Sequence, residues 1–75
     1  MLTSHLRGLK QALYVSHRVG EGQNNDQIIR EFDGDSQLVE MWTNFLVHNH
    51  WIKNNKLGEM TVTEKGSLWI TKYES

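Results

Sequence analysis

Large apolar residues recur three and four positions apart within residues 35–52, the most apolar run of the chain. The residues with this spacing are Leu38, Val39, Trp42, Phe45 and Leu46. The spacing is that of one face of an α-helix. Asp35 or Ser36 can cap its start, and Asn49, which tolerates the left-handed conformation, can end it. We therefore expect a central helix on which the other elements pack.

A first helix is predicted over residues 3–19, capped by Thr3 or Ser4. Its apolar stripe consists of Leu6, Leu9, Leu13 and, less regularly, Ala12. Val15 and Val19 either continue this stripe or begin a short extended segment. Gly8 lies inside the predicted helix, where glycine costs about 1 kcal/mol relative to alanine. Residues 20–24 (GEGQN) are rich in glycine and amides, which predicts a loop.

A short second helix is predicted over residues 27–32, with Asn25 or Asp26 as its cap. Residues 33–35 (Asp-Gly-Asp) then form a tight turn, because Gly34 can adopt a backbone conformation that other residues resist. A short helix, a turn and a longer helix therefore follow one another. This is the layout of a helix-turn-helix.

After the central helix, residues 51–53 and 59–63 alternate weakly and contain residues that favour strands. The intervening residues 54–58 are typical of a turn, so a small hairpin is predicted. Thr63 can cap a last helix. The residues of that helix expected to face the core are Leu68, Trp69, Ile70 and Tyr73. The predicted fold is α+β, with residues 1–75 as a single domain.

Composition narrows the class of protein further. The chain has 75 residues, no cysteine and a formal charge of −1, so neither disulfides nor a strongly basic nucleic-acid-binding surface is expected. It has no apolar run of about 18 residues and no signal-peptide pattern, so we expect a cytoplasmic protein that does not engage membranes. Charge is uneven, however. Residues 21–40 contain six acids against Arg30 alone, and both flanks are net basic.

Two segments resemble the winged helix-turn-helix family, closest to small prokaryotic, archaeal-type transcriptional regulators. LVEMWTNFLVHNHWI is similar to the third helix and first wing strand, with His50 where many members have glycine. MTVTEKGSLWI is similar to the second wing strand and final helix, and its Thr63-Glu64-Lys65-Gly66 matches the family's T-E-K-G. The resemblance covers residues 26–72. It implies a DNA-binding module that acts in transcription regulation.

In that family the third helix enters the major groove of double-stranded DNA and the wing approaches the backbone. The resemblance places Ser36, Gln37, Glu40, Thr43 and Asn44 on the helix side, and Lys53, Asn54, Asn55 and Lys56 at the wing tip. Amides can pair with adenine, glutamate can accept from cytosine, and lysine can neutralise phosphate. The chain departs from the pattern because residues 35–49 contain no Arg or Lys.

That departure leaves other functions open. The acidic second helix, turn and third helix can instead dock a basic protein partner, and an inhibitor that mimics nucleic acid is a third alternative. A homodimer would let two half-sites combine on DNA. The helical spacing of Trp42, Phe45 and Trp51 favours core packing over a base-stacking platform.

No cofactor and no catalytic activity are expected. His48 and His50 lie two residues apart on different helix faces, and no cysteine can join them on zinc. The Asp-Gly-Asp turn lacks the twelve-residue spacing of a calcium loop, so turn and helix cap is its favoured interpretation. The chain also has no nucleophile-base arrangement and no phosphate-binding glycine loop.

Overall fold

The computed structural model describes residues 6–55 and 59–74 and has an α+β architecture. Within these residues four helices and one antiparallel two-stranded sheet follow one another along the chain. They are α1 (Leu9–Gly20), α2 (Asn25–Glu31), α3 (Ser36–His48), β1 (Ile52–Asn54), β2 (Met60–Val62) and α4 (Glu64–Glu74). This confirms the predicted α+β class and the predicted order of helices and hairpin.

Helix α1 begins later than predicted. Gly8 has φ 56° and precedes the helix instead of lying inside it, because left-handed backbone cannot continue a right-handed helix. The predicted caps Thr3 and Ser4 lie outside the described residues. The buried face is formed by Ala12, Val15, Ser16 and Val19. Val15 and Val19 thus continue the helix, whereas Leu9, predicted to be in the stripe, is 44% exposed.

The turn between α2 and α3 is formed as predicted, but α2 starts earlier. Its cap is Asn24, not Asn25 or Asp26: the Asn24 side chain accepts from Gln27 N at 2.9 Å, and Gln27 Oε1 accepts from Asn24 N at 2.8 Å. Asp33 and Gly34 both have positive φ, 59° and 79°. Asp35 then caps α3 by accepting from Leu38 N at 3.0 Å, which confirms that predicted cap.

Helix α3 ends at the predicted place, but the left-handed residue is one position later. Asn49 has φ −86°, and His50 has φ 61°. His50 N donates to Val47 O and Trp51 N to Leu46 O, both at 2.9 Å. These two bonds form a Schellman motif, which requires the left-handed conformation at the residue after the cap. The helix thus ends at Asn49 as predicted, while His50 carries the left-handed conformation.

The hairpin and α4 are joined by Thr63. Strand register pairs Ile52 with Val62, and Trp51 lies just outside the strand, contrary to the prediction. Thr63 Oγ1 accepts from Gly66 N at 3.0 Å, as expected of a cap. Leu68, predicted to face the core, is 66% exposed. The inward face of α4 instead consists of Gly66, Trp69 and Ile70, which are three and four residues apart. Gly66 is buried, and Trp69 and Ile70 are half-buried.

The core lies where α1, α3 and the hairpin meet. Its buried apolar residues are Ala12, Val15, Val19, Ile28, Phe32, Val39, Leu46 and Ile52. A row of ring contacts borders it, from Trp42 through Phe45 and Trp51 to Trp69, and Trp51 stacks on Trp69 at 4.2 Å between centroids. These four rings are half-buried and pack on the core, as their spacing predicted. The core thereby fixes α3 and the hairpin side by side.

Candidate nucleic-acid interface

One edge of α3 is polar and exposed. Gln37, Glu40 and Asn44 are three and four residues apart, so they lie along a single stripe, here called the polar edge. Ser36 is also exposed, at the start of the helix. Thr43 differs from the other predicted site residues of this helix. It is half-buried, and its hydroxyl donates to Glu40 O at 3.0 Å.

A groove of about 1000 Å³ separates α3 from the hairpin. Four predicted site residues line it: Thr43 and Asn44 from α3, and Asn54 and Asn55 from the end of β1. Gln23, Asn24 and Asn25, which lie in the loop after α1 and at the start of α2, line its third side. Because six amide side chains face this space, it is called the amide groove. Apolar side chains, including Val47 and Val62, also line it.

Two of the six amides have structural roles. Asn24 caps α2, and Asn55 Nδ2 donates to Glu59 Oε1 at 3.0 Å while Asn55 Oδ1 accepts from Glu59 N at 2.9 Å. The Gln23 side chain differs, because its Oε1 is buried without a hydrogen-bond partner. The loop amides Gln23, Asn24 and Asn25 were not predicted to be site residues. Their signal was the run Gln23-Asn24-Asn25, but sequence does not show that this loop faces the hairpin.

Positive charge at the interface comes from the hairpin. Lys53 is exposed on β1, opposite Thr61, while Lys56 lies outside the described residues. No Lys or Arg is among the described residues that line the amide groove, and Glu59 is its charged member. Lys10 of α1 instead lines a separate groove of about 290 Å³, with Leu6, Leu13 and Tyr73 among its neighbours. The basic end of α1 therefore does not contribute to the amide groove.

Arg18 neutralises part of the acidic segment. Its guanidinium lies 2.7 Å from Glu21 Oε1 and 3.2 Å from Glu31 Oε2. It also donates to the Tyr14 hydroxyl at 3.0 Å, and this bond, followed by the two carboxylates, raises the pKa of Arg18. The carboxylates of Asp33, Asp35 and Glu40 are exposed, with Asp35 also serving as the α3 cap. The negative charge next to the polar edge is thus concentrated at the turn and the first half of α3.

Among the described residues, no three His, Asp or Glu side chains are grouped so that they could hold a metal ion. None of the helices in the described part of the chain combines the length and apolar character needed to cross a bilayer.

No protein-family model, curated protein or solved structure matches this chain.

Proposed function

We propose that this chain is a winged helix-turn-helix domain that binds double-stranded DNA and acts in transcription regulation. In this proposal α3 enters the major groove, and the hairpin is the wing that follows the sugar-phosphate backbone. The protein has no catalytic role and needs no cofactor. The observation that carries the proposal is the amide groove, which brings Asn44 of α3 and Asn54 of the hairpin to one surface.

The dimensions of α3 fit this role. Its 13 residues extend for about 20 Å, and the major groove, about 12 Å wide, admits one α-helix. The hairpin, formed by the antiparallel strands β1 and β2, packs against this helix through β1. Lys53 on β1 can contact a phosphate while the exposed polar edge faces base edges.

Two positions in the resemblance have a local physical reason. His50, where many family members have glycine, has φ 61°, a conformation that glycine adopts without strain. Gly66, the glycine of T-E-K-G, has no room for a side chain, because a Cβ there would overlap the carbonyl oxygen of Trp51. Both positions at which the family has glycine are therefore positions where the backbone of this fold favours glycine, which supports the resemblance.

The exposed carboxylates favour a second candidate function. Asp33, Asp35 and Glu40 are exposed at the turn and on α3, and the described residues that line the amide groove include no Lys or Arg. Such a surface repels phosphate and attracts basic groups. A winged-helix protein-interaction module that docks a basic partner through α2, the turn and α3 is therefore the alternative.

Removing single carboxylates distinguishes the two candidates, because the expected effects have opposite signs. Asp33→Asn and Glu40→Gln each remove one charge and keep the side-chain shape, and asparagine still tolerates the left-handed backbone at position 33. On a mixed-sequence duplex at low salt, each variant should bind about two- to fivefold more tightly than wild type, since a repulsion is lost. Binding to a lysine-rich peptide should weaken instead if the surface docks a basic protein.

Glu64→Gln is the control, since it removes one exposed charge from the start of α4. It should have less effect than either variant near the polar edge. Duplex titration followed through backbone amide shifts locates the contact surface in the same experiment. DNA binding is overturned if no duplex shifts the amides of α3 or the hairpin at low salt.

A further inference from the structure

We propose that α3 selects bases that carry an amino group in the major groove, adenine or cytosine, at three positions within four successive base pairs of one DNA strand. The middle position faces Glu40 and is cytosine. This inference rests on the proposed DNA-binding function and adds the base preference of the polar edge.

The polar edge has the length of three base-pair steps, so it reaches over four base pairs. Gln37 and Asn44 are seven residues apart, which corresponds to about 10.5 Å along a helix that rises 1.5 Å per residue. Successive base pairs are about 3.4 Å apart. Glu40 lies between the two amides along the same stripe. The rise is about 4.5 Å from Gln37 to Glu40 and about 6 Å from Glu40 to Asn44, roughly one and two base-pair steps. A helix lying along the groove therefore presents the three side chains to three positions within four successive pairs.

All three side chains offer oxygen acceptors. Asparagine and glutamine form paired bonds with N6 and N7 of adenine, and glutamate accepts from N4 of cytosine. Guanine presents O6 and N7, both acceptors, so it would repel the Glu40 carboxylate. Helix α3 also contains no Arg or Lys, the residues that most commonly contact guanine. Every base pair has one amino base, so the preference determines which strand carries it.

The Thr43 hydroxyl and the Asp35 carboxylate, which lie on the same helix or at its start, are already engaged in hydrogen bonds with the backbone. The Thr43 hydroxyl donates to the backbone of Glu40, and the Asp35 carboxylate accepts from Leu38 N. Met41 lies beside Gln37, one turn along α3, and is 50% exposed. An apolar side chain at this place can contact the methyl group of a thymine. Thymine is the partner of the adenine that Gln37 would select.

Selection from a pool of randomised duplexes tests the inference without assuming a register. The sites enriched by the wild-type protein should contain three amino bases within four successive positions of one strand, with cytosine between the other two. On the enriched site, replacing that cytosine by guanine should weaken binding about tenfold. For Glu40→Gln the enriched middle base should change to adenine, because glutamine pairs with adenine.

Glu64→Gln is the matched control, since it makes the same change as Glu40→Gln at an exposed carboxylate of α4, away from the polar edge. It should enrich the same sites as wild type. The base preference is overturned if duplexes bind but the enriched sites lack the three amino bases. It is also overturned if Glu40→Gln leaves the middle base unchanged. DNA binding stands in both cases. If no duplex binds at low salt, the proposed function itself fails.

Discussion

Gly66 is the residue at which α4 comes closest to the start of the hairpin. A Cβ built on it would overlap the Trp51 carbonyl oxygen and lie 2.9 Å from Val62 Cγ1. Backbone atoms cannot move aside as the end of a flexible side chain can. The contact explains why glycine is needed inside a helix, where it otherwise costs about 1 kcal/mol relative to alanine.

Gly66→Ala should therefore lower the free energy of unfolding by about 3 kcal/mol, as an overpacked core does. Gly20 provides the control, because a Cβ there meets Val62 Cγ2 at an ordinary 3.5 Å. Gly20→Ala should be neutral or stabilise by up to about 1 kcal/mol through helix propensity. Urea unfolding of both variants measures the difference. Equal stability of the two would contradict the close approach of α4 to Trp51.

His50 illustrates how far a residue's conformation follows from its type. The sequence suggested Asn49 as the left-handed residue, because asparagine tolerates that conformation better than most. The bonds from His50 N to Val47 O and from Trp51 N to Leu46 O determine the position instead. The end of a helix is thus decided by hydrogen bonding of its last turn, to within a residue or two.

At the scale of elements, Thr63 connects three segments. Its hydroxyl donates to His50 O at 2.6 Å and accepts from Gly66 N at 3.0 Å, and its backbone N–H donates to Trp51 O at 3.0 Å. The end of β2, the start of α4 and the segment after α3 are thereby joined. The angle between the hairpin and α3 depends on this junction.

Thr63→Ala should cost about 1–2 kcal/mol of stability, since it removes a helix cap. Amide hydrogen exchange at Gly66 should quicken at the same time, because its N–H loses the Thr63 hydroxyl as acceptor. Thr63→Ser keeps the hydroxyl and should stay within about 0.5 kcal/mol of wild type. An alanine variant as stable as the serine variant would show that the cap contributes nothing.

At the scale of the whole molecule, the distribution of charge distinguishes this chain from a strongly basic DNA-binding protein. Arg18 is engaged with Glu21 and Glu31, and Lys10 lies in a different groove from the polar edge. In the described part of the hairpin, Lys53 is the lysine that can contact a phosphate. The proposed DNA complex therefore depends on few phosphate contacts and more on contacts with bases.

The affinity for duplex DNA should accordingly depend only moderately on salt. With about two phosphates neutralised, a plot of log affinity against log salt concentration should have a slope of about −2. Lys53→Ala should reduce this slope by about one and weaken all sequences alike. Measuring affinity over a series of salt concentrations provides both values. A slope as steep as −6 would mean that further cations, outside the polar edge and hairpin, carry the binding.

Much of the secondary structure could be predicted from local patterns. The apolar spacing of α3, the Asp-Gly-Asp turn and the Thr63 cap each depend on residues within a few positions of one another. The first and last helices were predicted less well, because Leu9 and Leu68 are apolar yet exposed, at 44% and 66%. A short helix offers several apolar stripes, and the neighbouring elements decide which one is buried.

The sequence by itself determined the order of elements, the α+β class and the polar residues of α3, because periodicity and capping act over one or two helical turns. Only the tertiary structure decided that Gln23, Asn24 and Asn25 face Asn44 and Asn54 across one groove. It also decided that Arg18 of α1 pairs with Glu31 of α2. These arrangements join residues of separate elements, and their positions follow from how α1, α3 and the hairpin pack on a shared core.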